Sequence, residues 1–126
     1  MSVNEKQVGG EHYRSPIQHW DYVELNGLRY TEGCATKYIT RNRKKHENPR
    51  QDIEKAIHYV EKIQDLYRNG ILQPRSAPVV VTSEAFAAAN GLTGDEAEVV
   101  RLLTYWKSES EITAALNLLR KMEAGC

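Results

Sequence analysis

Apolar residues recur at helical spacing along most of the chain, and turn residues divide the pattern into six segments. Ile17, Trp20, Tyr22, Val23 and Leu25 form the first stripe. Ser15-Pro16 opens it as a cap with proline at the first helical position, and Asn26-Gly27 closes it. Cys34, Ala35, Tyr38 and Ile39 mark a second helix over residues 32–45, with Thr31 as its cap. Asn48-Pro49 starts a third, whose buried stripe is Ile53, Ala56, Ile57, Val60 and Ile63, and Asn69-Gly70 ends it. Ser83 opens a short fourth helix through Ala89. Thr93 and Glu96 have capping-box spacing and begin a fifth helix reaching Lys107. Ser108 and Glu111 repeat that spacing for a sixth, which ends near Ala124.

Between the third and fourth segments the composition changes. Residues 71–82 (ILQPRSAPVVVT) carry two prolines and three consecutive valines, the mark of an extended linker. The valines are compatible with a short strand at residues 79–81. The chain offers no second strand, so such a strand would pair across a dimer.

The pattern repeats. At a constant offset of 64, Asn26-Gly27-Leu28 falls on Asn90-Gly91-Leu92, Glu32 on Glu96, Ile39 on Leu103 and Thr40 on Thr104. After a five-residue deletion Ile53 falls on Ile112 and Ala56 on Ala115. The expected fold is all-α: two tandem degenerate helical repeats of about six helices sharing one bundle. Residues 1–14 read as an irregular segment, 15–70 as the first repeat, 71–82 as the linker and 83–126 as the degenerate second repeat. The first repeat keeps the polar residues, so it is expected to carry the chemistry.

Charge sharpens this division. The 126 residues hold 17 Lys and Arg against 17 Asp and Glu, which excludes a uniformly basic nucleic-acid binder and an acidic tail. Residues 36–50 are the exception: Lys37, Arg41, Arg43, Lys44, Lys45 and Arg50 face only Glu47. Lys37, Arg41 and Lys44 stand at i, i+4 and i+7 on one helix face. Such a cluster attracts phosphates or an acidic partner. No apolar run is long enough for a membrane span and no signal-peptide pattern opens the chain, so a soluble cytoplasmic protein is expected. Cys34 and Cys126 cannot build a disulfide scaffold or a four-cysteine zinc site.

Familiar catalytic motifs are absent. None of the eight glycines precedes a lysine, which excludes a P-loop, and no GxGxxG or GxSxG occurs. The four histidines lack metal-binding spacing. All-helical nucleoside triphosphate pyrophosphatases bind magnesium through carboxylate clusters, but here Glu32, Asp52 and Glu54 alone remain and Lys37 and Arg41 occupy the corresponding helix. No metal and no cofactor are expected.

What the first repeat does carry is equipment for a nucleotide. Lys37, Arg41, Arg43 and Lys44 would bind phosphate, and Tyr13, Trp20, Tyr38 and Tyr59 offer stacking surfaces. His12 would position phosphate or move a proton. Trp20, Tyr38 and Tyr59 also lie on apolar stripes, where a core position is the plainer expectation. His58 reads as a half-buried surface residue.

These residues resemble those of a small phage-encoded domain family. Its members carry GGxHY, a glycine-containing turn, a KYxTRxRxK stretch and D-x-x-KAxHYxE. The matching residues here are Gly9-Gly10-Glu11-His12-Tyr13, Asn26-Gly27-Leu28, Lys37-Tyr38-Ile39-Thr40-Arg41, Arg43-Lys44-Lys45 and Asp52…Lys55-Ala56…His58-Tyr59. The match covers about residues 7–67. Many members are assigned as nucleotide kinases by similarity to an early protein of a T-odd coliphage. The resemblance implies a phage or prophage origin, nucleotide metabolism in the host cytoplasm, and a substrate-binding role for Lys55. The expected function is nucleotide binding, extending to a nucleoside monophosphate kinase without a P-loop. The alternative is a non-catalytic counter-defence protein, anti-CRISPR-like, that sequesters a nucleotide signal or blocks a host defence complex. A third reading is nucleic-acid binding through residues 36–50. The expected partners are therefore a nucleotide, or a host defence protein, with no membrane and with self-association into a homo-oligomer.

Overall fold

The computed structural model describes residues 16–44 and 48–126, with the side chains of residues 43 and 44 excluded. Its helices are α1 (His19–Asn26), α2 (Tyr30–Lys44), α3 (Pro49–Arg68), α4 (Ser83–Asn90), α5 (Gly94–Tyr105) and α6 (Glu109–Ala124). The described residues are all-helical, with no strand. α2 packs along α3 and crosses α5, α3 lies against α6, and α5 pairs with α6.

Local chemistry explains most boundaries. Asn48 accepts from the Gln51 N–H at 3.1 Å, with Pro49 in the first turn of α3. Thr82 caps α4 through the Ala85 N–H, and Glu111 closes a capping box on the Ser108 N–H at 3.1 Å. Gly27 and Gly91 end α1 and α4 at φ 66° and 70°, a left-handed conformation that glycine adopts without a Cβ penalty.

Four sequence expectations need correction. α1 begins at His19 with Gln18 as N-cap, two residues beyond Pro16, and Ser15 lies outside the described residues. α2 begins at Tyr30, before Thr31, because Glu32 reaches back to the Arg29 N–H at 2.9 Å and does the capping itself. Thr93 sits at the N-cap of α5 without a side-chain cap bond, and the helix ends at Tyr105. The linker forms no strand. Asn26 Oδ1 accepts from the Val80 and Val81 N–H groups at 2.8 Å each, and its Nδ2 donates to Val81 O at 2.8 Å. One buried amide thus supplies the backbone partners that a neighbouring strand would have given.

The repeat is visible as reciprocal contacts. Asn90 Nδ2 donates to Ile17 O at 3.0 Å, as Asn26 Nδ2 does to Val81 O. Ile17 and Val81 are themselves 64 apart, so each copy's turn asparagine holds the segment entering the other copy. Tyr22 and Phe86, also 64 apart, stack with ring centroids 4.2 Å apart. Leu28 and Leu92, Ile39 and Leu103, Ile53 and Ile112, and Ala56 and Ala115 are all buried pairs.

The two copies meet around one buried carboxylate. Glu32 is fully buried. Its oxygens accept from Arg29 Nε and Nη2 at 2.9 and 3.0 Å and from Trp106 Nε1 at 2.6 Å. Arg75, brought in by the linker, places Nε 3.5 Å from Glu32 Oε1. Its Nη1 donates to Asn26 O at 2.7 Å and its Nη2 to Thr104 O, at the C-terminal ends of α1 and α5. Burial pushes the Glu32 carboxyl up, but hydrogen bonds from Arg29 and Trp106 outweigh it and hold the group below its ordinary value.

Removing one member of such a cluster strands the others. Glu32→Ala is expected to lower unfolding free energy by about 3–5 kcal/mol. Trp106→Phe removes one donor and is expected to cost about 1–3 kcal/mol. Urea titrations read both, and a Glu32→Ala loss no larger than that of Trp106→Phe would contradict the arrangement.

Candidate functional site

The face built by α1, α2 and α3 holds two open grooves that meet along a row of aromatic rings. The α2–α3 groove, about 380 Å³, is lined by Tyr38, Gln51, Glu54, Lys55, His58 and Tyr59. The α1–α2 groove, about 320 Å³, includes His19, Trp20, Val23, Tyr30, Cys34 and Lys37. Tyr30 meets the Tyr59 ring edge-on with centroids 6.2 Å apart, and Tyr59 lies nearly parallel to Tyr38 at 5.9 Å.

Tyr38 is the centre of the charged part. Lys37 Nζ lies 4.8 Å and Lys55 Nζ 5.2 Å from its ring centroid. Both fall within cation–π range. A ring face uses the charge of an ammonium group but leaves its N–H donors available to an anion. Among the described residues no carboxylate pairs with either lysine. The sequence separation of 18 between them is bridged by the α2–α3 hairpin.

The other expected site residues divide. Arg41 shares the α2 face with Lys37 but is turned to Asp52, its Nε 3.7 Å from Oδ1. Asp52 is largely buried, so Arg41 neutralises it as well as facing solvent. Arg43 and Lys44 occupy the last turn of α2, and their side chains lie outside the described residues, as do His12 and Tyr13. Trp20 departs from its expected core position. It is 52% exposed, because Tyr22 takes the inward direction on the short α1. Tyr38 and Tyr59 are half-buried at the groove edge, and His58 is exposed with its ring edge against Tyr59. Hydrogen bonding of the Tyr59 hydroxyl with Tyr30 heads the causes that push its phenol up to about 12, so it is neutral at physiological pH.

His19 is a groove residue that no motif or spacing in the chain singles out. Its Nε2 lies 2.8 Å from Thr36 Oγ1, seventeen positions away. Burial, with a smaller push from Lys37, lowers its pKa from 6.5 to about 4. The imidazole is neutral at pH 7.

Among the described residues no group of three His, Cys, Asp or Glu side chains could hold a metal ion, and no helix is long and apolar enough to cross a membrane.

The His19 shift has a stability consequence. The unfolded chain takes up the proton near pH 6.5 and the folded chain only near pH 4. The stability that this group contributes is complete above about pH 6.5 and is lost as pH falls towards 4. The full loss is about 3 kcal/mol at the conversion of about 1.4 kcal/mol per pH unit. Denaturation midpoints measured from pH 7 to 4.5 are expected to fall less steeply in His19→Gln than in the parent, and parallel profiles would contradict the shift. No family model matches the chain, and neither does any curated protein or solved structure.

Proposed function

We propose that the protein binds a nucleotide on the α1–α2–α3 face, with its phosphate held by Lys37 and Lys55. The observation that carries this reading is the Tyr38 ring with two ammonium groups, from different helices, within about 5 Å of its centre and a groove beside it. Two cations sharing one ring give this rim a local positive charge that favours an anion. A phosphate is such an anion and accepts from both sets of N–H donors. The adjoining tyrosines give the sugar and base flat apolar surfaces.

The reaction class comes from the resemblance of residues 7–67, which makes phosphoryl transfer to a nucleoside monophosphate the activity to test. In that reaction Lys37 and Lys55 would stabilise charge on the transferred group, with His12 as the candidate proton carrier.

Calorimetry with a panel of nucleoside monophosphates is expected to show binding that weakens about tenfold in Lys37→Met and in Lys55→Met, the effect of losing one charge-assisted bond. Arg41→Met is expected to weaken it less, since Arg41 is already engaged by Asp52. Absence of binding to every nucleotide, or unchanged affinity in the Lys37→Met/Lys55→Met double variant, would reject the reading. A coupled phosphoryl-transfer assay then separates the two forms of the proposal. Turnover supports a kinase, and tight binding without turnover assigns the chain to sequestration.

A further inference from the structure

His19 and Thr36 carry one step more. Thr36 Oγ1 lies 3.0 Å from Glu32 O and 3.1 Å from Gly33 O, so its single proton is directed to the backbone of its own helix. With that proton given to one of these carbonyls, the hydroxyl oxygen is an acceptor towards His19 at 2.8 Å. His19 therefore carries its proton on Nε2, and Nδ1 is left with a lone pair. Among the described residues Nδ1 has no hydrogen-bond partner. The ring stays neutral at physiological pH, so the lone pair is not lost to protonation.

This acceptor belongs to a side chain lining the α1–α2 groove, together with Trp20, Val23, Leu28 and Tyr30. The groove is mainly apolar and aromatic, and about 320 Å³ is within the range of small-molecule sites. Lys37 also lines it, while its ammonium group sits over Tyr38. An anion at Lys37 would place whatever is attached to it at the mouth of this groove. Glu24 and Arg29 also line the groove, so His19 Nδ1 is its uncharged ring acceptor beside a carboxylate, and a flat heterocycle with an N–H donor matches that acceptor and the aromatic lining.

We propose that the α1–α2 groove takes the base of the bound nucleotide and that His19 Nδ1 accepts a hydrogen bond from a base N–H, making His19 a specificity-determining residue. This rests on the nucleotide reading above. A site that accepts one hydrogen bond from its ligand discriminates against an analogue lacking the donor, because the acceptor is left unpaired.

The test is calorimetry on the full chain with the four deoxynucleoside monophosphates. Each is paired with an analogue whose base donor facing the groove is removed, by methylation at the imide or amide nitrogen or by dimethylation of the exocyclic amine. For the tightest binder the methylated analogue is expected to bind about tenfold more weakly. His19→Phe is expected to bind parent and analogue alike, at the weaker level, and His19→Gln, which keeps an acceptor, is expected to restore part of the difference. Nitrogen NMR of the histidine rings gives a readout independent of affinity. His19 is expected to show a protonated Nε2 and an unprotonated Nδ1, with the Nδ1 signal moving when the nucleotide is added. Binding of the monophosphates with no parent–analogue difference would overturn the His19 assignment and leave phosphate binding at Lys37 and Lys55 standing. Absence of binding by every monophosphate would overturn both. A His19 ring protonated on Nδ1 would overturn the assignment by itself.

Discussion

A carboxylate with no exposure to water organises this molecule. Glu32 belongs to the first turn of α2, yet its partners come from the turn before it, from the linker and from the residue following α5. A buried charge is costly unless every lone pair is engaged. Arg29, Arg75 and Trp106 engage it from three directions, which fixes where each of those segments stands. Arg75 carries the constraint further, because its guanidinium also reaches the closing carbonyls of α1 and α5. The linker is thereby a structural member rather than a tether, although it has no regular secondary structure.

Around this centre the two copies hold one another symmetrically, but at the positions the repeat matches they carry different side chains. At the repeat offsets, Lys37, Tyr38, Lys55 and Tyr59 correspond to Arg101, Leu102, Ala114 and Leu118. Arg101 is consumed by Glu98 three residues earlier, and Leu102 is buried. The second copy thus has packing where the first has two ammonium groups around a ring. The division of labour follows from side-chain chemistry at matched positions, since the backbone plan is shared.

The two grooves acquire different characters from the same helix. Successive positions on α2 point about 100° apart. Tyr38 therefore turns towards α3 while Lys37 remains on the rim of the α1 side. That adjacency is what lets one ligand address both grooves. Neutral His19 on one side and cationic Lys37 and Lys55 on the other give the face a polarity suited to a molecule with an apolar planar end and an anionic end.

Much was legible in the residues alone. Apolar periodicity located the six helices of the described residues, the three Asn-Gly turns each place a left-handed glycine after a helix, and the repeat offsets paired residues that are both buried. Local chemistry is written locally: a cap, a stripe and a turn need only a few neighbouring residues. The +5 charge of residues 36–50 was likewise plain. Partnership across the fold was not. Whether Arg41 is available or is held by Asp52, whether Trp20 faces the core or a groove, and which proton His19 keeps each depend on residues 11 to 17 positions away, or on a neighbouring side chain competing for the inward direction. The valines of the linker show the limit most directly. Their composition favours a strand, and a single asparagine from another helix satisfies their backbone instead. Only tertiary structure decides such cases, because a hydrogen-bonding group is satisfied by whatever packing brings beside it.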